Sequence, residues 1–241
     1  MEKPFRIACC FIFFLSASTS YAEKQLVLNT TGKAPLNTTK NDGFMDLIAK
    51  EAFQRINVKL KTIQLPAERG LKNANAGIDD GEMSRVAGLE KFYPNLIRVP
   101  EKIMDWHFVA FSKKNIKLTN GWRDLMPYSI AYINGWKILE KNINFPGVIT
   151  VRDPEQLFNL LNKNRTDVIV YEQWGGLYLT KINNMKSIKI QKPALASKAM
   201  FIYLHKKHLD LIQPLANALK TMKNDGSYQQ IVKQILSPLE L

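Results

Sequence analysis

The sequence has two cysteines, adjacent at positions 9 and 10, and none after them. A disulfide scaffold, a thiolate metal centre and a cysteine nucleophile are therefore excluded for everything downstream. Histidine is almost as scarce, with only His107, His205 and His208. The spacing His205-x-x-His208 occurs in metal sites, but only one further imidazole exists to complete a set, so we expect no metal and no cofactor. A Gly-x-Ser-x-Gly elbow, a P-loop and a dinucleotide fingerprint are all missing. No apolar run approaches the ~18 residues of a membrane span. Acidic residues are few: 21 Asp and Glu stand against 34 Lys and Arg, a formal net charge of +13. That charge is not gathered into a basic tract, and zinc-finger spacing and RNP-like motifs are absent, so nucleic acid is not the expected partner. The scattered lysines, from Lys113 to Lys192, read as a basic solvated surface, or as a preference for an anionic ligand or an acidic envelope surface.

What is present begins with a leader. Lys3 and Arg6 precede an apolar stretch, Ile7 to Leu15, and Ser20-Tyr21-Ala22 gives a small-x-small site. Residues 1–22 thus read as a signal peptide cleaved after Ala22, with a periplasmic destination. Removal leaves a cysteine-free chain of net charge +12.

The remainder alternates strand and helix. Gln25–Asn29 is β-rich, residues 30–42 are a polar loop, and Gly43–Asn57 places Phe44, Leu47, Ile48, Ala52 and Ile56 on one helical face. A strand over 58–65, a helix opened by Pro66 and a segment over 78–86 complete a β-α-β-α-β third. Strands follow at 96–99, 106–112, 128–133, 148–151, 167–171, 187–191 and 200–205. Helices are read at 122–125, 136–141, 154–162 (capped by Asp153) and 173–181, and the chain ends in helix from His208, broken near Asn224-Asp225-Gly226. This order predicts an α/β protein with mainly parallel sheets. We expect two lobes with a ligand cleft between them: lobe 1 over residues 23–111 and 200–241, lobe 2 over 112–199.

Particular residues sharpen this. Ala34-Pro35-Leu36, Gly43-Phe44-Met45-Asp46-Leu47, Pro66-x-x-Arg69-x-Leu71 with Gly77-x-Asp79-Asp80, Asp167-Val168-Ile169-Val170-Tyr171-Glu172, and Asn224-Asp225-Gly226-Ser227-Tyr228 occur in that order. In order and spacing the chain after residue 22 resembles the extracellular solute-binding protein family 3, the periplasmic amino-acid-binding group of ABC importers. The resemblance implies a type II periplasmic-binding-protein fold, two α/β lobes joined by a two-strand hinge, closing on a small solute. It also implies delivery to an inner-membrane permease.

Departures from the family point to a divergent subgroup. Where the family carries Thr-x-x-Arg to clamp a carboxylate, this chain has Gly88-Leu89-Glu90-Lys91, and its arginine comes earlier, in Asp80-Gly81-Glu82-Met83-Ser84-Arg85. Arg85 is a candidate anion clamp, or the partner of Glu82 or Glu90 in an ion pair. Glu172 replaces the family's usual Asp; it would hold a cationic group, or serve as a helix N-terminal carboxylate. Arg69 is a cleft residue or a solvated helix position. Asn134 and Gly135 precede a helix whose N–H groups could hold an anion, or form a plain turn. Thr30 and Thr31 offer hydroxyls or simply build the loop. Trp106, Trp136, Tyr171 and Trp174 form an aromatic wall or pack in the core.

The expected activity is therefore capture of a small polar ligand, an amino acid or related carboxylate, by a monomer without enzymatic activity, serving an ABC permease. The alternative partner is an envelope sensor. A further alternative is a dehydratase-like enzyme using Glu172 or Glu82 as general acid.

Overall fold

The run Val168-Ile169-Val170 shows no polar alternation, as befits a strand covered on both faces. The computed structural model, which describes residues 25–240, shows both covers. Among the described residues nine strands form: β1 (Gln25–Thr30), β2 (Lys59–Gln64), β3 (Gly81–Arg85), β4 (Leu96–Arg98), β5 (Met104–Ser112), β6 (Ile130–Ile133), β7 (Ile149–Val151), β8 (Val168–Glu172) and β9 (Lys189–His205). On one side of β8, Ile169 packs with Val109, Phe111, Ala131, Leu157 and Phe158. On the other, Val168 and Val170 pack with Phe108, Ala110, Ile130, Tyr132 and Leu139. The period of two along β5, β6 and β8 thus divides one sheet's residues between two apolar layers.

The expected two-lobed architecture is seen, and its halves share a topology. In the first, β1 pairs in parallel with β2 and β3, and β9 adds antiparallel to β3 and β4. In the second, β6 pairs in parallel with β7 and β8, and β5 adds antiparallel to β8. The halves meet along β5 and β9, which pair antiparallel from Met104↔Met200 to Ser112↔Lys189 and form the two-strand hinge. Sequence reasoning read separate strands at 187–191 and 200–205; the structure instead has one strand of 17 residues. Residues 192–194, 197 and 198 in it are exposed, so they carry no burial periodicity to reveal the strand. β5, placed by that reasoning at the end of lobe 1, pairs over Phe108–Ser112 with β8.

Helices cover the sheets: α1 (Phe44–Gln54), α2 (Ala67–Ala76), α3 (Lys137–Asn142), α4 (Pro154–Asn162), α5 (Gln173–Ile182), α6 (Leu209–Asn224) and α7 (Ser227–Ile231). The first core joins β1, α1 and α6 through Leu26, Leu28, Phe44, Ile48, Leu215 and Leu219. Asp153 caps α4 by accepting from the Gln156 N–H at 2.8 Å, with Pro154 at the first helical position. The leader and its cleavage site lie outside the described residues. Among the described residues no helix is long and apolar enough to cross a membrane.

The placement of α5 depends on Gly176, where a Cβ would run into the Phe111 ring. Gly176→Ala should therefore destabilise the protein by about 1–3 kcal/mol, as overpacking does. Urea unfolding would read this as a lower midpoint at unchanged slope; an unchanged or raised midpoint would refute so close a helix–sheet approach.

Candidate functional site

The loops after parallel strands converge on a cleft of about 560 Å³ between the lobes. From the first lobe come the loop after β1 (Thr31 to Ala34, with Leu36), Ala67 of α2, and Ser84, Arg85 and Val86 at the end of β3. The second lobe and hinge contribute Trp106, Phe108, Trp136, Lys137, Arg152, Tyr171, Glu172 and Lys198.

The first-lobe loop is held by a buried chain of bonds. Thr30 Oγ1 donates to Asn37 Oδ1 at 3.2 Å, and Asn37 Nδ2 donates to Asp46 Oδ1 at 2.7 Å. Asp46 Oδ2 also accepts from the Thr38 N–H at 2.8 Å, tying the loop to the start of α1. Thr30 is thus a structural bond in the core, while Thr31 lines the cleft.

Arg85 is the cation best placed to meet an anion. Its side chain is 17% exposed. Nη2 lies 2.8 Å from Glu82 Oε1, in an ion pair, and donates to the Ala67 carbonyl at 3.2 Å. Nε is buried with no partner, and no described residue bonds Nη1. Arg85 is thus paired to Glu82, as one of its two readings has it, and it also lines the cleft. Glu82 itself is fully buried behind the wall, under α2. A Cβ on Gly70 would stand 2.5 Å from Asn29 Oδ1 and 2.9 Å from Glu82 Oε2, so both oxygens close under the same glycine. Asn29 Nδ2 donates to Asp79 and to the Gly70 carbonyl, while its Oδ1 has no donor. Burial pushes the Glu82 carboxyl up to about 7, overcoming the Arg85 guanidinium; Asp79 pushes in the same direction as burial.

Glu172 sits at the cleft end of β8 and caps α5. Its Oε1 accepts from the Trp174 N–H at 3.0 Å and its Oε2 from the Gly175 N–H at 2.7 Å. Burial pushes this carboxyl up to about 7 as well, against those two N–H donors. Glu172→Ala should lower stability by about 0.5–2 kcal/mol through loss of the cap. Amide hydrogen exchange would show the loss as faster exchange at Trp174 and Gly175; unchanged protection there would contradict the capping role.

Beside Glu172 stands an aromatic column. Tyr171 stacks on Trp136 with centroids 5.0 Å apart and planes at 20°, and Trp106 lies 6.3 Å from Trp136 on a tilted plane. Burial holds the Tyr171 phenol well above its ordinary range, so it stays neutral. Trp106 Nε1 is a buried donor without a partner.

The structure brings Thr31, Arg85, Trp106, Gly135, Tyr171 and Glu172 together around the cleft. Arg69 is exposed on α2, and Asn134 is exposed outside the lining. The Asn134 N–H donates to the Val151 carbonyl, and the Gly135 N–H to Glu140 at 2.9 Å. Trp174 packs against the first lobe's core and lines a second, more open groove along α5 and the start of β9. The two close histidines diverge: His208 pairs with Asp80 at 2.7 Å, and His205 accepts from the Lys207 N–H. Sequence reasoning missed Lys33, Lys137, Arg152 and Lys198 at the cleft. Their only signal was the surplus of basic residues, which gives no position.

Comparison with known proteins agrees with this architecture. The GluR0 ligand-binding core of Nostoc punctiforme, solved with L-glutamate, superposes with a TM-score of 0.70 over 88% of this chain and 100% of its own, at 18% identity. A histidine kinase sensor domain similar to periplasmic binding proteins gives 0.72 over 89% and 97%, at 13% identity. An ancestral arginine-binding protein bound to arginine gives 0.68 over 90% and 100%, at 18% identity. The chain has the periplasmic-binding-protein fold. A second ancestral arginine-binding structure, bound to glutamine, is also among its structural neighbours. An uncharacterised protein of Shewanella oneidensis is 28% identical over 203 residues, 81% of this chain and 76% of its own. No family model matches the chain.

Proposed function

We propose that this protein is a solute-binding protein of the periplasm, which captures a small carboxylate, an amino acid or a relative of one, between its two lobes. The observation that carries this is Arg85, a mostly buried guanidinium in one wall of a cleft whose other wall is aromatic. Contacts from both walls favour the closed state, so binding shifts the population of lobe arrangements. Neighbours of the same fold bind glutamate and arginine, which supports a ligand of this size. Thr31 and the aromatic column would complete the enclosure.

Delivery to an ABC permease is the first reading of its cellular role. A sensor partner is the second, favoured by the sensor domain among the structural neighbours. One neighbour is an ancestral amino-acid-binding protein described as a precursor of a cyclohexadienyl dehydratase. For that chemistry Glu172 would have to leave its cap, and Glu82 lies sealed behind the cleft wall.

Native mass spectrometry of the protein, before and after mild unfolding, tests capture directly. The expected result is a single small molecule released on unfolding, or, for ligand-free protein, a melting temperature raised by an added carboxylate or amino acid. Ligand-free protein that responds to none of them would contradict the reading.

A further inference from the structure

We infer that the cleft selects a ligand with two or more negative charges on a flat, apolar body, such as an aromatic dicarboxylate or aryl phosphate, over a zwitterionic amino acid. This rests on the capture reading and narrows it to a ligand class. Five cationic side chains line the cleft, Lys33, Arg85, Lys137, Arg152 and Lys198, against one carboxylate, Glu172. They come from both lobes and from the hinge strand β9, so they surround the space rather than marking one side.

Two of the five have partners. Arg85 pairs with Glu82, and Lys137 pairs with Glu140 at 2.7 Å. Lys33, Arg152 and Lys198 form no ion pair among the described residues, and all three are exposed. The surplus of positive charge is therefore not cancelled within the protein. An unlike charge at ~4 Å is worth about 1 kcal/mol even in water, and more beside low-dielectric walls, where a cleft of one sign focuses the field.

An α-amino acid needs a home for its ammonium. The only carboxylate at the wall already accepts a backbone N–H on each oxygen at the start of α5. The surrounding cations repel the ammonium, so the aromatic column is not available to it as a cation-binding face. For an anion the same features all work together: several cations meet its charged ends, and Trp106, Trp136 and Tyr171 offer apolar surface to a ring. Carboxylate and phosphate share this recognition, since both accept paired N–H donors from a guanidinium.

Calorimetric titration of the full chain at about pH 8, where aryl phosphates are dianions, tests the inference. The probes are benzene-1,3-dicarboxylate, phenyl phosphate, benzoate, L-phenylalanine and L-arginine. The two dianions should bind about tenfold or more tighter than benzoate and the amino acids, and lose affinity steeply from about 20 to about 200 mM salt. The double variant Arg152→Gln, Lys198→Gln alters exposed side chains without ion pairs, so folding should be unaffected; it should weaken the dianions more than benzoate. A preference between the two dianions distinguishes carboxylate from phosphate. An amino acid binding tighter than both dianions, in an Arg85-dependent manner, would overturn the inference and leave ligand capture standing. Dianion affinity unchanged in the double variant would also overturn it. No binding by any probe would overturn it too, and protein that also carries no small molecule as isolated would remove the capture reading with it.

Discussion

Replacing Arg85 with alanine should weaken capture of a carboxylate ligand by about 10- to 150-fold, the equivalent of the 1.5–3 kcal/mol typical of a charged hydrogen bond. The guanidinium is poised for this because its Nη2 is anchored to Glu82 and to the Ala67 carbonyl, which fixes the fork before ligand arrives. Arg85→Lys keeps the charge but not the planar fork, so it should recover only part of the loss. The alanine variant also strips Glu82 of its counter-charge, so its melting temperature must be compared at a pH where Glu82 is protonated. Titration there with the tightest-binding carboxylate decides the matter. Affinity within twofold of the parent would mean that the ligand's anion sits elsewhere.

Raising the pH from about 5 to about 8 should destabilise the ligand-free protein. Glu82 and Glu172 are both pushed up to about 7 by burial, from ordinary values near 4.5. Between these values the folded state holds a proton that the unfolded state has released, so stability falls as pH rises through the window. The contribution is fully present below the unfolded value and lost above about 7. Each group is worth on the order of 3 kcal/mol, taking 1.36 kcal/mol per unit. His205, whose value is lowered mainly by burial, acts in the opposite sense, but it lies near the surface. Asp225, held down at about 2 by the Ser227 N–H and by Arg55, acts only at lower pH. Glu82→Gln should remove roughly half of the slope, because the amide cannot ionise. Chemical denaturation across the window tests this. A slope that is flat, or that rises with pH, would show that neither carboxyl is buried as described.

Much of the fold was legible because burial leaves a period. The face of α1 and the unbroken Val-Ile-Val of β8 each report the layers that cover them. The middle of β9 was not legible, since Lys192 to Lys198 have little side-chain burial to leave a pattern and the register with β5 is broken between Gln191 and Ala196. At the site, Arg85 and Glu172 stood out by their place near strand ends, and the ion pair with Glu82 and the helix N-terminal role were both among the readings; which alternative holds was not legible. No spacing rule connects Glu82 to Gly70, or Gly176 to Phe111; both are contacts between elements distant in sequence. The cleft lysines were hidden for a different reason. An exposed lysine at a cleft rim and one on open surface have the same local sequence, and only the fold separates them.

Ligand should draw the lobes together about β5 and β9. Because no cysteine follows Cys10, introduced cysteines can be labelled singly in each lobe of the leaderless chain. Lys40→Cys and Lys141→Cys lie on exposed positions of the first and second lobes. Energy transfer between dyes at these sites should rise on adding a bound ligand, at concentrations matching the calorimetric affinity, and the rise should be lost in Arg85→Ala. Tight binding with no change in the separation would contradict capture by closure.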